Sequence, residues 1–101
     1  MIPEIEGKRA ELGLLCRRFR VQRLELFGSA AIGTYRPGSS DLDFLVEFDS
    51  QPSGYANRFF GLHEELERLF GHQVDLIVVS AIRNPYFRAS VEQTKALLYA
   101  A

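Results

Sequence analysis

Cysteine occurs once in the 101 residues, at Cys16, and tryptophan does not occur at all. A lone thiol permits no internal disulfide and no cysteine-based zinc cluster. The two histidines, His63 and His72, are too few and wrongly spaced to supply a zinc site in its place. An excess of one charge is equally lacking. Twelve basic residues against 13 acidic ones leave a formal net charge of -1, so the broad basic face of a nucleic-acid-binding protein is missing and nucleic acid is disfavoured as a partner. Only Arg17, Arg18, Arg20 and Arg23 cluster locally, and a solvated face explains them. Long apolar runs are absent too. The amino-terminal stretch MIPEIEGKRAELGLLCRRF carries acids early and reads as neither a signal peptide nor a membrane span. No repeat and no low-complexity tract is visible. A reducing cytoplasm and no membrane partner are the expectations.

What is present suffices for one compact unit. Hydrophobic residues make up 47% of the chain and aromatic residues 12%, enough for a core, and the length favours a single domain over residues 1–101. Pro3 to about Phe19 reads as a helix, with Ile5, Leu12, Leu15, Cys16 and Phe19 recurring at three- and four-residue steps. Cys16 falls on that stripe and reads as buried filler. VQRLELFG (Val21 to Gly28) reads as a strand with Leu24 and Leu26 on one face, Arg23 and Glu25 on the other. A short helix is expected from Ser29 to about Gly33, followed by the loop TYRPGSS. DLDFLVEF (Asp41 to Phe48) reads as a second strand. Leu42, Phe44, Val46 and Phe48 line one of its faces; Asp41, Asp43, Leu45 and Glu47 line the other. Tyr55, Phe59, Leu62, Leu66 and Leu69 form a helical stripe closed by Gly71, core in the main, with part available to a subunit interface and hence to an oligomer. VDLIVVS (Val74 to Ser80) is a third strand, and a last helix is expected from Asn84-Pro85 through Val91 and Leu98 to the end. The fold class is α/β (α+β), a small sheet covered by helices.

The chemistry gathers in ELFGSAAIGTYRPGSSDLDFLVEF. Asp41 and Asp43 lie one residue apart, which on a strand turns both carboxylates to one face. Like charges there repel and aspartate is a poor strand former, so a bound cation is the natural compensation. Two hard oxygen donors suit Mg²⁺. Gly28 lets a ligand approach the backbone closely, and Ser29 adds a hydroxyl and the free N–H groups of a helical turn, a fit for nucleotide phosphates. Asp75 sits among apolar residues on the third strand; were that strand next to the second, it could join the pair in a two-metal site and accept a proton from an attacking hydroxyl. Each feature alone has an ordinary alternative: a common turn, a solvated strand entrance, a strand-edge acid. Their ordered combination is what points to nucleotide chemistry.

That combination, in FGSAAIGTYRPGSSDLDFLVEF together with Asp75, resembles the signature of the minimal nucleotidyltransferases, a branch of the DNA polymerase β-like superfamily. The likeness runs from about Val21 through the tail NPYFRASVEQTKALLYA. It implies a small mixed β-sheet covered by helices. Gly28 and Ser29 match the phosphate-holding pair, Asp41 and Asp43 the metal-binding pair, and Asp75 the third acid. Members of this branch are antitoxins of two-gene modules paired with a HEPN-domain toxin, to which they transfer AMP from ATP at a tyrosine. The resemblance therefore implies ATP as substrate, Mg²⁺ as cofactor (two ions) and a HEPN toxin as partner. Two departures stand out. The spacer between Ser29 and Asp41 covers residues 30–40, one residue longer than the commonest family form. Ile32 stands where many members have an arginine, and Arg36 is the candidate to replace it at the nucleotide. No acceptor-holding domain is expected at this length, so the acceptor would be presented by another molecule; a small antibiotic-like acceptor is disfavoured. The rival reading is a binding module that neutralises its partner by contact alone.

Overall fold

In a computed structural model of the protein, residues 3–32, 41–50 and 53–101 are described. The elements run α1 (Pro3–Glu6), α2 (Arg9–Arg18), β1 (Val21–Phe27), α3 (Ser29–Ile32), β2 (Leu42–Phe48), α4 (Tyr55–Phe70), β3 (Val74–Val78), a 3₁₀ turn (Val79–Ala81), α5 (Pro85–Thr94) and β4 (Ala96–Ala100).

The first helix expected from the sequence is two helices. Glycine is poorly disposed to a helix interior, by about 1 kcal/mol, and the break comes at Gly7 and Lys8. There the Lys8 N–H bonds to the Ile5 carbonyl at 3.1 Å, a tightened turn that redirects the chain. Ile5 is thereby sunk completely in the core, beside Leu12 and Cys16 of α2. Helix α4 follows its apolar stripe, with Leu62 and Leu66 fully buried. It ends where Gly71 turns left-handed, φ 74°, and its N–H closes onto the Glu67 carbonyl at 2.8 Å. Helix α5 starts as read: Asn84 Oδ1 accepts from the N–H groups of Tyr86 and Phe87, and Pro85 fills the first turn.

The four strands form one mixed sheet in the order β3-β2-β1-β4. Strand β1 is antiparallel to both β2 and β4, whereas β3 is parallel to β2, the two joined by the α4 crossover. One face of the sheet carries Leu24, Leu26, Leu42, Phe44, Val46, Val74 and Leu76 against α2 and α4 and forms the main core. The opposite face is covered only in part. Phe27, Leu45, Ile82 and Val91 make a small cluster there under α5.

The carboxyl terminus corrects the sequence reading. The last helix stops at Thr94, and Lys95 adopts an extended backbone, ψ 144°. Ala96–Ala100 then pairs with β1 instead of extending the helix. Without that strand β1 would be an open edge with unpaired N–H and C=O groups; pairing along β1 outweighs the helical preference of ALLYA. Ser80, expected at the end of the third strand, belongs to the 3₁₀ turn.

Candidate nucleotide and metal site

Strand register decides where the acids meet. Asp43 is paired with Asp75 on β3 and with Phe27 on β1, so Phe27, Asp43 and Asp75 form one row across the sheet, on the face that α5 covers only in part. Neighbouring strands lie about 4.8 Å apart, which makes the two carboxylates direct neighbours. Asp41, one residue before β2, is exposed, as is Asp75; Asp43 is half-buried. The Asp43 carboxyl is pushed up from 3.8 to about 6, first by burial, then by the negative charges of Asp75 and Asp41. The three acids anticipated from the sequence thus share one electrostatic neighbourhood. The pairing of the second and third strands, which the sequence left as a condition, is what brings them there.

The glycine-serine turn closes over the same point. Gly28 follows Phe27 directly and has φ 72°, a conformation that side chains with a Cβ rarely adopt. A Cβ at Gly28 would stand 2.5 Å from Asp43 Oδ2. Turn and acid are therefore in contact, and only glycine leaves the space. The Gly28 carbonyl accepts from the Ala31 and Ile32 N–H groups at 3.1 and 3.3 Å, which folds Ser29–Ile32 into α3. Ser29 is half-buried at the start of that turn. Ile32 ends it at 56% exposure, an apolar side chain left facing solvent. Arg36 and Tyr35, placed by the sequence on the loop of this site, lie outside the described residues.

Three features were not read from the sequence. Thr94 accepts a hydrogen bond from the Gly28 N–H through its Oγ1 at 3.1 Å. Phe87 meets Phe27 edge-on, ring centroids 6.0 Å apart, walling the row of acids on the α5 side. Glu25 is buried one step along β1 from Phe27, its carboxylate 3.3 Å from Arg23 Nε and 3.7 Å from Lys95 Nζ. The alternation of β1 places Glu25 on this face, but nothing local announces that Lys95 reaches it. The two histidines do other work: His63 Nε2 lies 2.9 Å from the Val74 carbonyl, and His72 Nε2 lies 3.4 Å from Glu4. A groove of about 470 Å³ between α2 and α4, lined by Leu14, Leu15 and Leu69, belongs to the far face and touches none of the acids.

Hard oxygen donors crowded enough to raise one another's proton affinity form a donor set suited to Mg²⁺. Among the described residues no three acidic, histidine or cysteine side chains already converge as a cage. Mg²⁺ is commonly held by one or two carboxylates together with substrate phosphates.

Comparison with known proteins gives the family and the fold. Residues 12–98 match the family model described as nucleotidyltransferase domain. Two proteins of Methanocaldococcus jannaschii that carry the provisional name protein adenylyltransferase are each 38% identical over 80 residues, 79% of this chain and of theirs. Protein adenylyltransferase MntA of Thermococcus cleftensis is 39% identical over 70 residues, 69% of this chain and 68% of that one. Among solved structures, a provisionally assigned minimal nucleotidyltransferase superposes with TM-score 0.75 at 30% identity, covering 91% of this chain and 90% of that one. A toxin-antitoxin complex with AMP-PNP superposes with TM-score 0.69 at 22% identity, over 92% of this chain and 73% of that one, a likeness of fold. The chain belongs to the nucleotidyltransferase family, and its sheet and helices are those of the minimal nucleotidyltransferases.

Proposed function

We propose that the protein transfers AMP from ATP to a protein hydroxyl, a tyrosine of a HEPN-domain toxin, and acts as that toxin's antitoxin. The observation that carries this reading is the register that sets Asp75 beside Asp43, with Asp43 itself against the Gly28 turn. Relatives named protein adenylyltransferase and a fold shared with toxin-antitoxin complexes support the substrate and the partner.

Asp41, Asp43 and Asp75 would hold Mg²⁺, two ions in the pattern of the family, while Gly28, Ser29 and Arg36 hold the triphosphate. Bound Mg²⁺ supplies charge neutralisation at the phosphates and lowers the pKa of the attacking hydroxyl. The chain's own residues do the rest. The Gly28-Ser29 turn orients the α-phosphate toward the acids, and Asp75 takes the acceptor's proton as its oxygen bonds to the α-phosphorus. The α–β phosphate bond breaks and pyrophosphate leaves. The uncovered part of the sheet face beside β3 is where another protein's side chain would enter.

A second reading has one observation in its favour. Ile32 offers the triphosphate no charge, and a chain that neutralised its partner by contact alone would not need one. One experiment separates the two. The purified chain is incubated with the product of the neighbouring gene, ATP and Mg²⁺, and that product is weighed by mass spectrometry. AMP adducts that disappear in Asp41→Asn/Asp43→Asn support transfer. A double variant that still neutralises the partner fully, with no adduct formed by the wild type, establishes the contact reading.

A further inference from the structure

We propose that Thr94 is a positioning residue for nucleotide binding: through its hydroxyl, the carboxyl-terminal end of helix α5 fixes the Gly28 peptide and so the orientation of the turn that holds the phosphates. The inference rests on the assignment of Gly28-Ser29 to the nucleotide. It adds a residue that lies outside the motif and 66 positions away along the chain.

The geometry comes from the β1–β4 ladder. Leu26 is paired with Ala96 and Glu25 with Leu97 in an antiparallel register. The ladder ends at Leu26–Ala96, and one extended residue, Lys95, separates it from the end of α5, where Thr94 Oγ1 accepts from the Gly28 N–H at 3.1 Å. A hydroxyl offers one donor and two acceptor lone pairs. The Thr94 donor is directed to the last turn of α5, with the Ser90 carbonyl at 3.2 Å and the Val91 carbonyl at 3.4 Å. One side chain thus ties α5, the end of the β1–β4 ladder and the turn together.

The consequence concerns orientation. The Gly28 N–H is committed inward to Thr94, and the Gly28 carbonyl is committed to Ala31 and Ile32. Both ends of the residue are held, although its left-handed backbone could otherwise rotate cheaply, since glycine has no Cβ to resist. Asp43 Oδ2 occupies the space beside Gly28 Cα, so a rotated peptide would alter the contact between turn and acid as well. A half-exposed glycine hinge next to a charged ligand site gains definition from an external anchor, and the threonine hydroxyl is that anchor. Losing the acceptor leaves a part-buried N–H without its partner, a cost relieved only by turning the peptide.

The test compares Thr94→Val, which keeps shape and loses the hydroxyl, with Thr94→Ser, which keeps the hydroxyl and loses the methyl. ATP affinity in Mg²⁺ is measured by titration calorimetry, and folding by thermal melting. Expected is a roughly tenfold weaker ATP affinity for Thr94→Val, the scale of one unsatisfied hydrogen bond, with Thr94→Ser within about twofold of wild type. Amide exchange at Gly28 is expected to speed up in Thr94→Val while exchange at Leu24 and Leu26 stays unchanged. Equal ATP affinity in all three chains overturns the proposal. So does a Thr94→Val chain that fails to fold while Thr94→Ser binds no better than an unanchored turn would, because the residue would then support the fold alone. Wild-type protein that binds no ATP overturns the nucleotide assignment itself, an outcome distinct from ATP binding that is indifferent to Thr94.

Discussion

Asp43→Asn should make the protein more stable while ending its activity, and the pH at which the stabilisation appears is set by the site. A folded Asp43 keeps its proton up to about pH 6, whereas an ordinary aspartate gives it up near 3.8. Between those values the native chain binds the additional proton. Stability therefore falls as pH rises through that window and stays reduced above it. At about 1.4 kcal/mol per decade the displacement corresponds to about 3 kcal/mol. Solvent reaches the half-buried carboxylate, and screening reduces the figure to about 1–2 kcal/mol. Asparagine has the same shape, cannot ionise, and also frees Asp75 and Asp41 from a repelling neighbour. In EDTA at pH 7.5, Asp43→Asn should melt about 5–10 °C above wild type for a domain of this size. At pH 3.5 the two should melt together. The assay is thermal unfolding by circular dichroism across that range. Titratable groups distant from the site behave alike in the two chains and cancel in the difference. Equal melting temperatures at pH 7.5, or a gap that persists unchanged at pH 3.5, would refute the claim that burial and the neighbouring acids penalise the ionised Asp43 in the metal-free protein.

Two further substitutions probe the turn and the loop. Gly28→Ala meets both a left-handed backbone and a carboxylate 2.5 Å from its Cβ; it should cost about 1–3 kcal/mol in urea unfolding and weaken ATP binding, and a chain as stable as wild type would show that the turn is not pressed on Asp43. Arg36→Ala should weaken ATP binding several-fold if that side chain replaces the cation missing at Ile32, and an unchanged affinity in calorimetry removes Arg36 from the site.

The residues of the candidate site were legible because each has a reason local to its own segment. Asp41 precedes an apolar strand and Asp43 interrupts it, Asp75 interrupts another, and Gly28 follows a third. A charge or a glycine where packing asks for neither is a signal that needs no partner to be noticed. The faces were legible as well: Leu42, Phe44, Val46 and Phe48 all fall in the main core, and Leu45 joins the smaller cluster across the sheet. The meeting of Asp43 with Asp75 was legible only as a condition, since it depends on β2 and β3 being neighbours, a non-local fact decided by the crossover through α4.

The carboxyl-terminal strand shows where local reasoning stops. Alanine and leucine favour helices, and nothing within KALLYA opposes the continuation of α5 past Thr94. What opposes it is β1, whose free edge lies one chain reversal away and whose backbone groups need partners. The strand that results does more than close the sheet. It carries Thr94 to Gly28 and Lys95 to the buried Glu25, so the side of the site opposite the acids is assembled by residues whose roles exist only once β4 has paired. An isolated nucleotide turn needs the glycine and the serine; a turn held in one orientation needs a neighbour. In this chain that neighbour is Thr94, the last residue of α5, which the pairing of β4 with β1 brings to the Gly28-Ser29 turn.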